Sequence, residues 1–588
     1  MSASKAAART LALACIALPS LAAAECKITS FGTLPVELEG QRATTIARVN
    51  GKDTRFILDT GATFSMMSRA NVDALGLKRE AAPFGLRMGG VGGSMNSELT
   101  RVKNFGLLGS TLTNIEFLVG GSDAGMGLIG ANLLNVVDAD VDLANGKFRL
   151  LKPSGCNDLS MAYWTKDGQY NIADLHPSDR NYVRLSFVDV VINGKNVRAM
   201  LDTGAPATLI TRRAAERVGL NLASANAETN MEGSGIGRHR HKTWIVPIDK
   251  YEIGSEQIEH SKIEVIDGDM GEGSEAPELL LGIDFFLAHH VFIANSQRKI
   301  YFTYNGGRVF SLASAPKSSA ASAAADTQAS DKPMTAADYA LRGQAFLSRG
   351  EVAAANTDLD AAVQLAPDNA SYRLARARAR LAAQKTDDAM EDLGVSLHLD
   401  DQNIDALLLR ARIRFSRKDK DAAEQDIATA RKLAPAGSTR AREVAALYVA
   451  INRPQEALAL LDDWIRLHPE DSALPDVLNS RCWARGLANV ELEGALADCS
   501  KAIKAAKDRS AYYDSLGLVQ LRLGRNAEAQ ASYEKALGLS LNSAWTHFGL
   551  GLAKIRQGQR AEGEAEIRAA KAINQNIATR ALQFGLAP

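Results

Sequence analysis

Two stretches of the chain are copies of one another. Residues 50–77 read NGKDTRFILDTGATFSMMSRANVDALGL, and residues 193–220 read NGKNVRAMLDTGAPATLITRRAAERVGL. They align without a gap at a constant offset of 143, and 12 of the 28 paired positions are identical. Average residue usage would give about two. A duplication of this kind makes the N-terminal half two homologous lobes. Short apolar runs such as Arg55-Phe56-Ile57-Leu58 and Val188-Asp189-Val190-Val191-Ile192 alternate with Gly, Asn and Asp turns. That spacing predicts an all-β unit.

The two copies also repeat a set of chemically informative positions. Each has Asp-Thr-Gly-Ala after an apolar strand, as Asp59-Thr60-Gly61-Ala62 and Asp202-Thr203-Gly204-Ala205. A small hydroxyl residue follows, Ser65 or Thr208. A glycine-rich hairpin candidate comes next: Gly89, Gly90, Val91, Gly92 and Gly93 in one lobe, Gly233, Ser234, Gly235, Ile236 and Gly237 in the other. Each lobe then closes on two apolar residues and a glycine, Leu128-Ile129-Gly130 and Leu280-Leu281-Gly282.

This ordered series resembles the retropepsin-like aspartic peptidases over about residues 40–310. The alanine after the glycine and the glycine-rich flaps are retroviral in type, and two lobes in one chain are similar to the pepsin arrangement. The resemblance implies a bilobal β structure with Asp59 and Asp202 meeting as a catalytic pair at the floor of a cleft. Thr60 and Thr203 would hydrogen-bond across the lobes, and Gly61 and Gly204 would let backbone approach the carboxylates. The glycine-rich hairpins would close as flaps on an extended peptide. Two carboxylates at such separation share one proton. One then activates water while the protonated partner polarises the peptide carbonyl. The reaction requires neither metal nor organic cofactor. Two alternatives stay open: a peptide-binding scaffold that has kept the fold without catalysis, and a dyad assembled between two chains. The basic run Arg238-His239-Arg240-His241-Lys242 beside the second flap is read as a solvated strand, and His289-His290 as structural.

The C-terminal half changes character. Residues 312–334 are Ala/Ser-rich with two prolines, the composition of a flexible linker. Beyond them a small residue followed by Ala twelve later recurs every 34 residues: Gly343/Ala355, Ala377/Ala389, Ala411/Ala423 and Ala445/Ala457. After four inserted residues the series resumes at Trp483/Ala495, Gly517/Ala529 and Gly551/Gly563. Gly350, Gly524 and Gly558 mark turns between helices. This resembles the tetratricopeptide repeat family, in which stacked helix pairs bury a continuous core; Trp483 departs from its small-residue pattern. Arg378 and Arg412 follow the anchors at candidate groove positions, open to acidic side chains or a peptide C-terminus. The repeats imply a protein partner.

Positive Lys5 and Arg9, the apolar run Leu11–Leu21 and Ala22-Ala23-Ala24 read as a secretory signal peptide. The product is expected to be exported, periplasmic or secreted, without insertion in the membrane. Its removal leaves Cys26, Cys156, Cys482 and Cys499, which allow three connectivities if paired. The domain layout favours Cys26–Cys156 and Cys482–Cys499, the other reading being buried thiols. The formal charge is zero, from 68 basic and 68 acidic residues, so the basic excess of a nucleic-acid binder is missing. The expected organisation is a signal (1–24), a first lobe (25–152), a connection (153–180), a second lobe (181–310), a linker (311–334), about seven repeats (335–576) and a capping helix (577–588). The fold class is multidomain: a bilobal all-β acid-protease fold, then an all-α solenoid.

Overall fold

The computed structural model describes residues 26–587 apart from 85, 122–125, 158, 166–168, 179–183, 224–227, 236, 238, 272–275, 307–333 and 540–542. The signal segment and nearly all of the linker therefore lie outside the described residues, as does Ile236.

Each lobe starts from the same hairpin. Ala43–Val49 pairs with Lys52–Leu58, and Ser186–Ile192 with Lys195–Leu201. Their tight turns place Asn50 and Asn193 at φ near 50°, with Gly51 and Gly194 at 88° and 77°. Asn-Gly tolerates this left-handed backbone, whose twist matches that of the flanking strands. A later short strand then inserts parallel to the second arm: Gly127–Ile129 beside Lys52–Leu58, and Leu279–Leu281 beside Lys195–Leu201. This brings the end of each lobe next to its Asp-Thr-Gly-Ala loop. Phe56, Phe105 and Phe117 fill the first core, with Phe105 edge-on to both neighbours at 5.7 and 5.2 Å.

Six strands at one end of a 13-stranded sheet join the lobes, in the order Lys27–Pro35, Lys147–Ser154, Asp138–Asp142, His289–Ala294, Lys299–Tyr304, Asn171–Pro177. Strand Asn171–Pro177 falls within the segment expected to be connection, but it pairs with both Lys299–Tyr304 and Ser186–Ile192. It is part of the second lobe's sheet. At the seam His290 Nε2 lies 2.5 Å from Asp140 Oδ1 and its ring stacks on Trp164. His289 Nδ1 bonds the Phe285 carbonyl at 2.9 Å.

The C-terminal half is a solenoid of helix pairs. The first five are Ala336–Ser348 with Val352–Leu365, Ala370–Ala382 with Thr386–Leu399, Ile404–Ser416 with Lys420–Leu433, Thr439–Ala450 with Pro454–Leu467, and Leu474–Ala488 with Leu492–Ala505. Ser510–Arg522 with Asn526–Leu539 and Ala544–Arg556 with Arg560–Ile573 follow, then the helix Ile577–Gln583. Among the described residues no helix is long and apolar enough to cross a membrane.

Four of the pairs are clamped by a two-pronged ion pair from first to second helix: Arg342–Asp358, Arg376–Asp392, Arg410–Asp426 and Arg481–Asp498. The aspartates are buried, so each carboxylate depends on its Arg to offset desolvation. The clamp also corrects the fifth repeat. The residue after the Arg is Gly343, Ala377 or Ala411 in the earlier pairs, and here it is Cys482, fully buried. The small position thus belongs to Cys482, one residue before Trp483, which turns aside to meet Trp545 edge-on at 5.5 Å. Cys482 is disulfide-bonded to Cys499 and Cys26 to Cys156.

Asp514, in the sixth pair, is a half-buried residue whose carboxyl is shielded from water beside Thr546; burial pushes its pKa up to about 7, and the Thr546 hydroxyl opposes the rise. Below the ordinary value of 3.8 folded and unfolded states are both protonated. As pH rises further the unfolded chain ionises first, so stability declines until about pH 7 and then levels off. The full loss is up to roughly 4 kcal/mol. Denaturant titrations at pH 4 and pH 8 should show this difference shrinking in Asp514→Asn.

Candidate active site

The two Asp-Thr-Gly-Ala loops meet where the lobes face each other, with both aspartates supplied by one chain. Asp59 N–H donates to the Ile129 carbonyl at 3.0 Å, and Asp202 N–H to Leu281 at 2.9 Å. Each loop folds under its own carboxylate. Asp59 Oδ1 accepts the N–H groups of Gly61 and Ala62 at 3.0 and 2.8 Å. Asp202 Oδ1 accepts those of Gly204 and Ala205 at 2.9 and 3.0 Å.

The threonines lock the two loops together. Thr60 Oγ1 donates to the Leu201 carbonyl at 2.8 Å, and Thr203 Oγ1 to Leu58 at 2.7 Å. Each hydroxyl also accepts the other threonine's N–H, at 3.2 and 3.1 Å. Both are fully buried. The lock presses each glycine on the opposite carboxyl group: a Cβ at Gly61 would lie 2.4 Å from Asp202 Cγ, and one at Gly204 2.3 Å from Asp59 Cγ. No larger residue fits there.

A second layer braces the loops identically in both lobes. Ser65 and Thr208 receive the N–H groups of Gly130 and Gly282, each at 3.0 Å. They are themselves held, through hydroxyl and N–H, by Asn132 Oδ1 (2.9 and 2.8 Å) and Asp284 Oδ1 (2.7 and 2.9 Å). The reading of the sequence assigns no role to Asn132 or Asp284. The available signal was a polar residue at the second place after the closing glycine of both lobes, inside otherwise apolar stretches.

The carboxyl groups of Asp59 and Asp202 hydrogen-bond to each other. Burial raises both pKa values, and the charge of Asp202 raises Asp59 further, to well above the carboxylate range. The N–H groups aimed at each Oδ1 oppose this by favouring the charged form. The pair therefore keeps one proton under conditions in which exposed carboxylates keep none.

Two hairpins meet above. Arg87–Gly90 pairs with Gly93–Asn96, so Gly89 and Gly90 face Ser94 and Gly93 across the first flap. In the second, Glu228–Ser234 pairs with the start of Arg240–Ile253, setting Gly233 opposite His241 and Ser234 opposite Arg240. The tips touch: Gly92 bridges Gly237, and His239 N–H donates to the Gly92 carbonyl at 3.0 Å. Val91 packs against a second-lobe cluster that includes Ala205 and Met270, and Gly235 faces Val91. His241 donates Nδ1–H to the Asp267 carbonyl. Among the described residues no group of three or more His, Cys, Asp or Glu could hold a metal ion.

The solenoid arginines singled out in the sequence find acidic partners inside the chain. Arg378 pairs with Asp405 and Arg412 with Glu443, each at 2.9 Å. Both acids also bind Arg440.

Comparison with known proteins places these features. Residues 45–133 and 188–285 match the family described as aspartyl protease. No curated protein matches the chain. Among solved structures, a tetratricopeptide repeat protein from Parabacteroides merdae ATCC 43184 is similar at 16% identity over 43% of this chain and 99% of that one, with a TM-score of 0.34. The APC/C hetero-tetramer Cut9-Hcn1 is similar at 19% identity with a TM-score of 0.32, covering 42% of this chain. The match spans about half of that chain, 49%. YrrB, described as a TPR protein with an unusual peptide-binding site, is similar at 13% identity over 32% of this chain and 95% of that one, with a TM-score of 0.28.

Proposed function

We propose that this chain, two aspartyl protease-family lobes fused to a tetratricopeptide repeat solenoid, is an exported aspartic endopeptidase acting on extended protein segments. The observation that carries the reading is the facing Asp59/Asp202 pair, cross-braced by Thr60 and Thr203, with burial raising both carboxyl pKa values. In this reading a water sits between the two carboxyls. The ionised carboxylate takes a proton from the water as its oxygen attacks the peptide carbonyl carbon, and the protonated partner gives its proton to the carbonyl oxygen. The carboxyl that took the water's proton then gives it to the amide nitrogen as the C–N bond breaks, while the other carboxylate takes a proton from a hydroxyl of the tetrahedral intermediate; an amine and a carboxylic acid leave, and the dyad is back in its starting state. The flaps exclude bulk water, strengthening these charge interactions. The solenoid recruits substrate or a partner protein through its extended surface. The signal-like N-terminus supports export, and two disulfides suit an oxidising compartment.

The test is to incubate the protein with a diverse peptide mixture between pH 3 and pH 8 and identify products by mass spectrometry. Asp59→Asn serves as the control. The wild type is expected to cut and the variant not. A wild type that cuts nothing at any pH would leave the peptide-holding scaffold as the better reading. Export predicts in addition that protein purified from its native host starts at Glu25, which N-terminal sequencing checks.

A further inference from the structure

The solenoid touches the peptidase at places far apart on it. Its first helix, Ala336–Ser348, is seated on the first lobe: Ala345 belongs to the peptidase core, and Gln344 Oε1 accepts the Leu38 N–H at 3.2 Å. Ser348 Oγ donates to the Gly40 carbonyl at 2.7 Å, and just past the helix Arg349 Nη1 donates to the Leu287 carbonyl of the second lobe at 3.3 Å. Farther along, Arg440 reaches Glu39 of the first lobe at 3.9 Å. At the fifth repeat the contact passes to the other lobe and to its flap. Arg240, three residues beyond the tip residue Gly237, donates Nε–H to the Ser472 carbonyl at 3.0 Å and pairs through Nη2 with Asp476 Oδ2 at 2.5 Å. Asp476 Oδ1 also accepts the Tyr512 hydroxyl at 2.5 Å.

The solenoid departs from its 34-residue period at this contact. The connections 366–369, 400–403 and 506–509 have four residues each, whereas 468–473 has six, and the helix that follows, Leu474–Ala488, is 15 residues long against 13 in each of the first three pairs. These extra residues are the insertion seen in the sequence. The enlarged connection is an ordered element. Ala473 N–H donates to Asp471 Oδ1 at 2.7 Å, Asp471 N–H to the His468 carbonyl at 3.3 Å, and buried His468 stacks on Trp464. The irregularity thus presents a backbone carbonyl and a carboxylate to one of the two strands that form the second flap. The solenoid is thus anchored mainly on the first lobe at its start and reaches the flap of the second at its fifth pair.

We propose that Arg240 is a positioning residue, through which the solenoid holds the second flap closed over the Asp59/Asp202 cleft and so sets how firmly an extended peptide is retained. The kinetic consequence rests on the peptidase reading; the restraint on the flap rests on the contact alone. The pair is partly exposed, with side chains 25% and 40% accessible, so its effect is modest, about three- to tenfold. A flap hairpin needs no more, since such elements open at low free energy.

The test uses the full chain as wild type, Arg240→Ala, Arg240→Asp, Asp476→Arg and the swap Arg240→Asp/Asp476→Arg. Two quantities are read: amide hydrogen exchange of peptides spanning 228–239, and KM and kcat on a peptide cut by the wild type. The single variants should exchange about three- to tenfold faster in that segment, with the strand Lys195–Leu201 unchanged, and raise KM by a similar factor with kcat little altered. The swap should restore both. Wild-type exchange in all three single variants overturns the proposal, as does a swap no better than either single variant. A variant that exchanges faster throughout the second lobe has lost its fold, and Arg240→Lys, which keeps the charge, replaces it. If the wild type cuts nothing, the peptidase reading falls and the exchange measurements alone decide the restraint.

Discussion

Asp59→Asn is expected to lower kcat on any cleaved peptide by at least about a thousandfold. Asp202→Asn should do the same, and the double variant should be no worse than either. In the proposed mechanism the carboxyls divide one task. One must be ionised to take a proton from water, the other protonated to polarise the carbonyl, and their mutual hydrogen bond with raised pKa values keeps that state. Removing either ends the exchange, so the losses are not additive. The same division fixes the pH response. Activity rises as pH increases through the pair's lower macroscopic step and falls as it passes the upper one, when the second carboxyl ionises. Burial and the neighbouring charge raise that upper step, so the falling limb lies above the range of ordinary carboxylates. A kcat/KM profile flat across that region and beyond would contradict a shared proton. Stability follows the same sign: a carboxyl raised in the folded state favours folding below its unfolded pKa, and that advantage is lost as pH rises through the folded value.

Much of this arrangement can be read in the sequence because it is repeated there. The offset of 143 between Asp59 and Asp202 places two equivalent loops in two equivalent lobes, and a two-fold related meeting follows from closing them face to face. The helix pairs are legible for the same reason, since small residues every 34 positions are a local packing requirement. What repetition does not encode stayed hidden. The turns of the second, third and fourth helix pairs use Gln384, Lys418 and Asn452 at left-handed φ where the sequence suggests glycine. Asn452 favours that conformation, but Gln384 and Lys418 have no propensity to advertise it. The fifth repeat slipped by one because Trp483 and Cys482 are adjacent and only the Arg481–Asp498 clamp tells which faces the second helix. Arg240 sits in a basic run that reads as solvated surface. Its partners Ser472 and Asp476 are more than 200 residues away in an insertion, and no periodicity links the two.

Thr203→Val is expected to destabilise the two-lobed N-terminal half by roughly 2–5 kcal/mol, with Thr60→Val matching it. The valine keeps the β-branched shape but has no hydroxyl. It leaves the Leu58 carbonyl without its donor at 2.7 Å and the Thr60 N–H without its acceptor at 3.2 Å. Both groups are at a site no water reaches, since Thr60 and Thr203 have no exposed surface, and each unpaired group costs about 1–3 kcal/mol. Thr203→Ser keeps both bonds and should retain most of the stability. The two threonines form one closed ring, each also binding the other's N–H, so the double valine variant should lose less than the two single losses combined. Urea unfolding of the single, double and serine variants measures this directly. Activity should fall further than stability alone explains. The lock holds Gly61 and Gly204 against the opposite carboxyl groups, and that pressure keeps Asp59 and Asp202 within hydrogen-bonding reach. A loosened lock lets the carboxyls separate and take up water individually, so each returns toward an ordinary pKa and the shared proton is lost. The falling limb of the pH profile in Thr203→Val should therefore move to lower pH, whereas a purely structural loss would scale the whole profile down without moving it.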